Sequence, residues 1–526
     1  MCISMNENTF TSKHTIMKIE LMDTTLRDGE QTTSVSFNVA EKLAIARLLL
    51  EEVKVDRLEV ASARVSEGEF EAVKKITEWA SKHGYLDKIE VLGFVDNNVS
   101  LQWMERAGAK VCNLLTKGSL KHVTSQLRKS PEEHLNDIAK TIEAANEMGI
   151  DINVYLEDWS NGMQNSPEYV FFLVDGLQQL NVKRIMLPDT LGVLNPDVCY
   201  EFCKEMVDRY PDIHFDFHAH NDYDFAVANV YSALKAGIKG IHTTVNGLGE
   251  RAGNAPMASV LGVINDHLHL PNSLDESKLT KISQMVETFS GIRIPGNKPL
   301  TGDYVFTQCA GIHADGDSKD NLYYNNLLPE RFGRVRKYAL GKTSGKANIL
   351  KNLEELHLEL SPEDMKKVTQ RIIELGDKKE VVTTEDLPYI ISDILHSGSI
   401  AENIKLKNFF LTLAKDLKPV ASVCLVIGDN EYEEQCVGDG QYDAFVKAIW
   451  KIYDQLGKQR PVLTDYVVSI PPGGKTDALV ETIISWEIHG NIFKTKGLDV
   501  DQTAAAIVAT MKMLNLLEQD GYKHHA

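Results

Sequence analysis

Cysteine is sparse in this sequence, and no two stand in a C-x-x-C pair: the seven are Cys2, Cys112, Cys199, Cys203, Cys309, Cys424 and Cys436. Their odd number and scattered spacing argue against a disulfide framework and lead us to expect reduced thiols in a cytoplasmic protein. Long apolar runs are missing too. No stretch approaches the ~20 residues that a membrane-spanning helix needs, and the N-terminal MCISMNENTFTSKHT lacks the apolar core of a secretory signal. Positive charge is in deficit, with 56 Lys and Arg against 75 Asp and Glu and a formal net charge of -19. Such a balance repels nucleic acid and anionic membranes as principal partners. What remains is a soluble chain whose 526 residues suffice for one large domain and smaller ones.

Short runs rich in branched apolar residues recur eight times, at 17–25, 55–62, 89–95, 109–115, 150–157, 182–188, 213–219 and 239–245. Most gaps hold a helix-period segment such as AEKLAIARLLLEE (40–52). Eight strands alternating with helices predict an α/β fold, the (β/α)8 TIM barrel. An open doubly wound sheet is the rival, but the polar residues of interest fall at the C-terminal ends of strands one, five, six, seven and eight. A closed barrel brings those ends to one rim. We therefore expect a flexible N-terminus over 1–16, a barrel over 17–290, small helical linker subdomains over 291–400 and a C-terminal α+β domain over 401–520.

In that last region a strand-like run, a Gly-containing turn and an apolar helix occur twice, at 434–456 and 492–517, predicting two β-α modules of a regulatory or dimerising domain. The P-P-G-G at 471–474 between them reads as a turn, because it lacks the first Gly of the phosphate-loop spacing. Arg331, Arg334, Arg336, Lys337, Lys342 and Lys346 concentrate positive charge in an acidic protein. They form either a solvated face or an attractor for an anionic group such as a coenzyme A phosphate.

The segment IHFDFHAHND (213–222) carries His218 and His220 two residues apart. On a strand both side chains leave one face roughly 7 Å apart at the backbone, within reach of a single cation. Two satisfied core histidines are the bland alternative. The first strand runs into LMDTTLRDGEQ, which places the carboxylate of Asp28 and the forked cation of Arg27 at the same rim. After the eighth strand, VNGLGERAGNAP has Gly247, Gly249 and Gly253 to turn a tight loop back over the rim and present Asn254. Asp28, His218, His220 and Asn254 make a mixed nitrogen and oxygen set suited to a divalent zinc, manganese or magnesium ion, with positions left open for a chelating substrate. Asp222 reads as support for the rim. The fifth strand ends in YLEDW, with Tyr155 and Glu157 on one side, and the sixth in LPDTLG with Thr190. A carboxylate in a barrel mouth is costly unless paired or used, so Glu157 reads as a catalytic base or an anchor of the metal shell.

DTTLRDGEQ, HAHND, NGLGERAGN, FTQCAGIHADG and the duplicated C-terminal domain resemble the metal-dependent Claisen synthases that make isopropylmalate, homocitrate and citramalate. The likeness runs from about residue 18 to 517. VASARVSEGE, LGFVDNN, NLLTKGSL, NVYLEDWSNG and PPGGKTDALVET resemble the citramalate branch more closely, and QTTSVSF departs from the Ser-Pro-Gly that many isopropylmalate synthases carry after the Gln. The resemblance implies condensation of acetyl-CoA with a 2-oxo acid, giving a branched 2-hydroxy diacid and free CoA, in branched-chain amino-acid biosynthesis. It assigns Arg27 to the developing alkoxide, Glu157 with His313 to the base apparatus, and Tyr323 to positioning or protonation. It makes Leu92, Leu115 and Tyr155 the wall of the substrate pocket and Thr190 a donor to the substrate carboxylate. The bulk of that wall favours pyruvate over 2-oxoisovalerate. It also implies a homodimer, because the segment carrying His313 and Tyr323 serves the partner's barrel, and a C-terminal domain that binds an end product, isoleucine for a citramalate enzyme. Three rivals stand beside this: an isopropylmalate synthase, a retro-Claisen lyase on a similar barrel, and an amino-acid sensor built on a barrel without activity.

Overall fold

The computed structural model describes residues 18–317, 319–356, 358–377, 382, 384–395, 403–469 and 480–518. The expected N-terminal lead-in and the P-P-G-G turn lie outside them. The chain divides into two compact units, the first spanning residues 1–306 with 325–335, the second 307–324 with 336–526.

In the first unit eight parallel strands close a barrel: β1 (Glu20–Asp23), β2 (Arg57–Ser62), β3 (Ile89–Phe94), β4 (Val111–Lys117), β5 (Asp151–Glu157), β6 (Arg184–Asp189), β7 (Phe215–Ala219) and β8 (Gly240–Thr243). β1 pairs with both β2 and β8, which leaves no sheet edge. The helices between strands start at local signals. Asn38 and Ser130 form capping boxes with Glu41 and Glu133, and the helix Glu67–His83 starts at a Ser66 cap and stops at Gly84, whose φ of 76° suits glycine.

The strands alternate with period two. Leu58, Val60, Val91, Leu114, Ile152, Val154, Leu187 and Phe217 join the large apolar core, whereas the residues between them include buried Glu59, Glu90, Asn113, Asn153, Asp216 and, on β8, His242. The barrel interior is therefore largely ionic. Arg57 lies at its centre, 3.1 Å from Glu90, 3.4 Å from Glu20 and paired closely with Asp216. Above that network sits a small apolar cluster of Met22, Leu92, Tyr155 and Met186, with Phe94 and Leu115 packed against it.

In the second unit the helices Lys346–Glu355, Pro362–Asp377 and Leu387–Leu395 gather around Ile349, Leu353, Met365, Val368, Ile372 and Leu387. Two three-stranded antiparallel sheets follow. The first comprises Ile404–Leu411, Val420–Ile427 and Asn430–Val437 and precedes the helix Gln441–Gln455; the second comprises Val462–Ser469, Val480–Ile488 and Asn491–Asp499 and precedes the helix Gln502–Leu517. Each expected β-α module is thus the last strand and the helix of a β-β-β-α module. The first strand of each is mostly solvent-facing, so it lacks the alternation that marks a half-buried strand. At Gly497 the following helix comes so close that an added Cβ would lie 1.8 Å from the Ala505 carbonyl oxygen.

The basic run is largely spent on internal pairs. Arg331 lies 2.9 Å from Asp266 and 2.7 Å from Glu276, Arg334 donates to the Gly302 carbonyl at 2.8 Å, and Lys342 lies 3.1 Å from Asp377. Arg336 stacks over Tyr324 at 3.9 Å and sits 3.7 Å from Asp317. Four of its six cations therefore have structural partners, which weakens its reading as an anion attractor.

Candidate active site

The loop after β1 folds back so that the Asp28 amide donates to the Thr24 carbonyl at 2.8 Å, turning the Asp28 side chain toward β7. There Asp28 Oδ2 lies 3.0 Å from His218 Nε2 and 3.8 Å from His220 Nε2, and the two imidazole nitrogens are 3.4 Å apart. Ligands of one ion at bonds of about 2.0–2.1 Å are separated by roughly 3.0–3.4 Å, a range that holds two of the three separations and falls short of the 3.8 Å between Asp28 and His220. All three residues are buried. Burial alone would raise the Asp28 carboxyl, but Arg27 and the two imidazoles outweigh it and hold it well below the usual carboxylate range. Burial, reinforced by His218, pushes His220 down to about 4, which keeps its ring neutral and able to ligate. These three side chains could hold a metal.

Asn254 reaches the same place with the other end of its amide. Its Nδ2 donates to Asp28 Oδ2 at 2.9 Å and to the Leu248 carbonyl at 3.1 Å, while Oδ1 is buried without a hydrogen-bond partner. In this arrangement Asn254 steadies Asp28 through Nδ2 and leaves its buried Oδ1 as an unused acceptor. The loop that carries it needs its glycines: a Cβ on Gly253 would lie 2.0 Å from the Gly247 carbonyl, and one on Gly249 would lie 2.3 Å from Asn254 Nδ2. Asp222 stands apart from the imidazoles, bound by Arg251 at 2.8 and 3.0 Å. Arg251 also donates to the Thr190 carbonyl at 2.8 Å, so the pair ties together the loops after β6, β7 and β8.

Arg27 is fixed on three sides, by Glu59 at 2.6 Å, by Asp28 at 3.2 Å and by the Tyr155 hydroxyl at 3.3 Å. Tyr155, Leu92 and Leu115 all belong to the apolar cluster, and the Tyr155 ring meets the His218 ring edge-on at 6.2 Å. The apolar cluster and the Asp28, His218 and His220 set are therefore neighbours. Thr190 Oγ1 accepts from the Asp158 amide at 2.9 Å and retains its own proton to donate. Glu157, at the mouth, makes a close ion pair with Lys117, its parallel neighbour on β4. His313 and Tyr323 lie in the second unit, with ring centroids 4.3 Å apart.

A family model described as "HMGL-like" matches residues 18–286, one described as "Homocitrate synthase post-HMGL domain-like" matches 300–380, and one described as "LeuA allosteric (dimerisation) domain" matches 381–518. Over 95% of its length the chain is 33% identical to "Putative (R)-citramalate synthase CimA" of Methanopyrus kandleri, covering 96% of that protein. It is 31% identical to (R)-citramalate synthase CimA of Methanocaldococcus jannaschii and 32% identical to 2-isopropylmalate synthase of the same organism, again over 95% of the chain and covering 100% and 94% of those relatives. The chain belongs to the isopropylmalate, homocitrate and citramalate synthase family. It is an acyltransferase of the type that converts the acyl group into an alkyl group on transfer.

Several residues that shape the site of this synthase escape a reading by motif. Glu59 grips Arg27, Lys117 pairs with Glu157, and Lys42, buried in the helix after β1, holds the Arg27 loop from below. The Lys42 ammonium reaches the Leu26 carbonyl at 3.1 Å, Glu30 at 2.6 Å and Glu69 at 2.5 Å. His242 spans Asp216 and Tyr155 at 3.0 and 3.1 Å, and burial pushes it down to about 3. The available signal was a charged or imidazole side chain in the middle of a branched apolar run, as in RLEVAS or GIHT. Such a residue faces the inside of the barrel.

Proposed function

We propose that the chain is a citramalate synthase: acetyl-CoA, pyruvate and water give (R)-citramalate and free CoA. The observation that carries this reading is the apolar cluster of Met22, Leu92, Leu115, Tyr155 and Met186 beside the Asp28, His218 and His220 set. Its bulky, interlocked side chains suit the methyl of pyruvate and crowd the isopropyl of 2-oxoisovalerate. A divalent zinc, manganese or magnesium ion held by Asp28, His218 and His220, with Asn254 at its edge, would polarise the substrate carbonyl as a Lewis acid.

Arg27, already oriented by Glu59 and Tyr155, directs its remaining N–H groups at the oxygen on which negative charge develops. Thr190 donates to the substrate carboxylate. Glu157 and His313 form the base apparatus that takes a proton from the acetyl methyl. The Lys117 ammonium pairs closely with the Glu157 carboxylate and orients it. Tyr323, whose ring lies tilted against that of His313, positions or returns a proton. The new carbon–carbon bond joins the acetyl methyl carbon to the 2-oxo carbon, and water then cleaves the thioester to release CoA as thiol. A homodimer, cytoplasmic location and feedback by isoleucine complete the reading. It is supported by the match to a dimerisation domain model, by free cysteines among the described residues and by the absence there of any helix long and apolar enough to cross a membrane.

The 32% identity to an isopropylmalate synthase keeps that substrate as the second reading. Thiol release from acetyl-CoA, with metal and a panel of 2-oxo acids, separates them. Pyruvate should give the largest kcat/KM, ahead of 2-oxoisovalerate by about tenfold or more. Faster turnover of 2-oxoisovalerate sinks the citramalate assignment.

A further inference from the structure

β8 carries a histidine that the chemistry above leaves unused. His242 is buried, with Nε2 3.0 Å from Asp216 Oδ2 and Nδ1 3.1 Å from the Tyr155 hydroxyl. Asp216 accepts from Arg57 at the same Oδ2 that faces His242, and it lies 3.1 Å from His214, so it stands as the acceptor of this cluster. Its neighbour His242 therefore donates from Nε2. In the neutral ring Nδ1 is then a lone pair, and Tyr155 must donate its hydroxyl proton to it. The tyrosine oxygen is left to accept from Arg27 Nη2 at 3.3 Å. One direction of hydrogen bonding thus runs from Arg27 through Tyr155 and His242 to Asp216. The Tyr155 and His242 rings also meet edge-on at 5.6 Å, which limits rotation of the tyrosine.

We propose that His242, oriented by Asp216, is a positioning residue that sets 2-oxo acid selectivity by locking the Tyr155 ring beside Leu92 and Met186 and holding Arg27 behind it. The proposal rests on the reading of Tyr155 as a wall of the 2-oxo acid pocket. It makes His242 a determinant of which substrate fits, although a hydroxyl stands between them.

The test compares the full-length enzyme with His242→Phe, Tyr155→Phe and the double variant, measuring thiol release with pyruvate and 2-oxoisovalerate, the KM for acetyl-CoA and the thermal midpoint. We expect His242→Phe to raise the KM for pyruvate about tenfold, to leave the KM for acetyl-CoA within about twofold, and to narrow the preference for pyruvate about fivefold. Because both act through one hydroxyl, the double variant should be no worse than Tyr155→Phe by more than about twofold. His242→Asn, which retains an acceptor close to Nδ1, should recover part of the selectivity, and with Tyr155→Phe it carries the test if His242→Phe does not fold. An unchanged selectivity ratio, an equal rise in both KM values, or additive effects in the double variant overturns the proposal. Wild-type enzyme that turns over no 2-oxo acid with acetyl-CoA overturns the functional reading itself, before any variant is compared, and this inference falls with it.

Discussion

The interior of the barrel and the cores of the two C-terminal sheet modules solve opposite problems. The barrel encloses Arg57, Glu59, Glu90, Asp216 and His242, whereas the modules close over Phe445, Ala448, Ile449, Ile452, Trp486, Ala506, Ala509 and Met513. Among the described residues of the modules the buried polar groups are Thr482, Ser485, Thr495, Thr510, Asn515 and one lysine, Lys496, which lies 2.9 Å from Glu481. Each buried ion costs several kcal/mol in desolvation, so a fold retains many of them only in a closed network or where they do chemistry. The barrel holds a closed network, its lower ions paired around Arg57 and its upper ones, Asp28 and Arg27, paired with each other beside the two imidazoles.

The largest expected effect breaks the chemical end of that contrast. Asp28→Ala removes the carboxylate shared by both imidazoles, and kcat/KM should fall by roughly three orders of magnitude or more, a loss of ~4 kcal/mol in transition-state stabilisation. Chelation of the wild type should approach the same floor and be reversed by added divalent ion. Retention of more than a tenth of the activity by Asp28→Ala would place the metal elsewhere.

The next pair sharpens the contrast by comparing stability with metal affinity. Trp486→Ala empties a buried indole site in a module, and Arg57→Met leaves Asp216 and Glu90 without their central cation; each should cost about 3–5 kcal/mol. The variants should differ in divalent-ion affinity measured by calorimetry. Trp486→Ala should leave it within about twofold, while Arg57→Met should weaken it about tenfold, because Asp216 lies on β7 two residues before His218. Equal loss of affinity in both would show that the barrel site draws on the modules.

The sequence announces these two regions unequally. All eight barrel strands are legible because outward Val, Ile and Leu recur at strand length, and all eight fall where the pattern predicts, within about two or three residues at each end. Asp28, His218 and His220 are legible because a carboxylate and two imidazoles converge from the ends of two strands, β1 and β7, onto one rim. The orientation of Asn254 is not, since it depends on the Leu248 carbonyl, a backbone atom that no motif names. Nor are Lys117 and His242, whose partners lie far away in sequence and meet them through strand register, or Lys42, whose partners meet it through the packing of its helix on the barrel. The first strand of each module escapes for a different reason: Ile404–Leu411 and Val462–Ser469 bury little, so their composition carries no period.

The smallest effect asks whether the barrel's buried titratable groups make it the acid-sensitive region. His134, on the helix Pro131–Glu147, accepts from the Lys117 amide through Nε2 at 3.2 Å and so supports the end of β4 that pairs with Glu157. Burial, with a further push from the Lys129 charge, lowers it to about 4. The unfolded side chain titrates near 6.5, so between those values the unfolded state holds a proton that the folded state does not. Stability from this group is therefore complete above about pH 6.5 and lost as the pH falls toward about 4. At pH 5 the loss should be about 1–2 kcal/mol. Thermal midpoints at pH 7 and pH 5 should show the wild type losing more than His134→Gln, whose amide oxygen accepts the same N–H without titrating. Equal losses in the two proteins would mean that protonation of His134 is not what destabilises the fold in acid, and that acid sensitivity arises in the ionic interior around Arg57 instead.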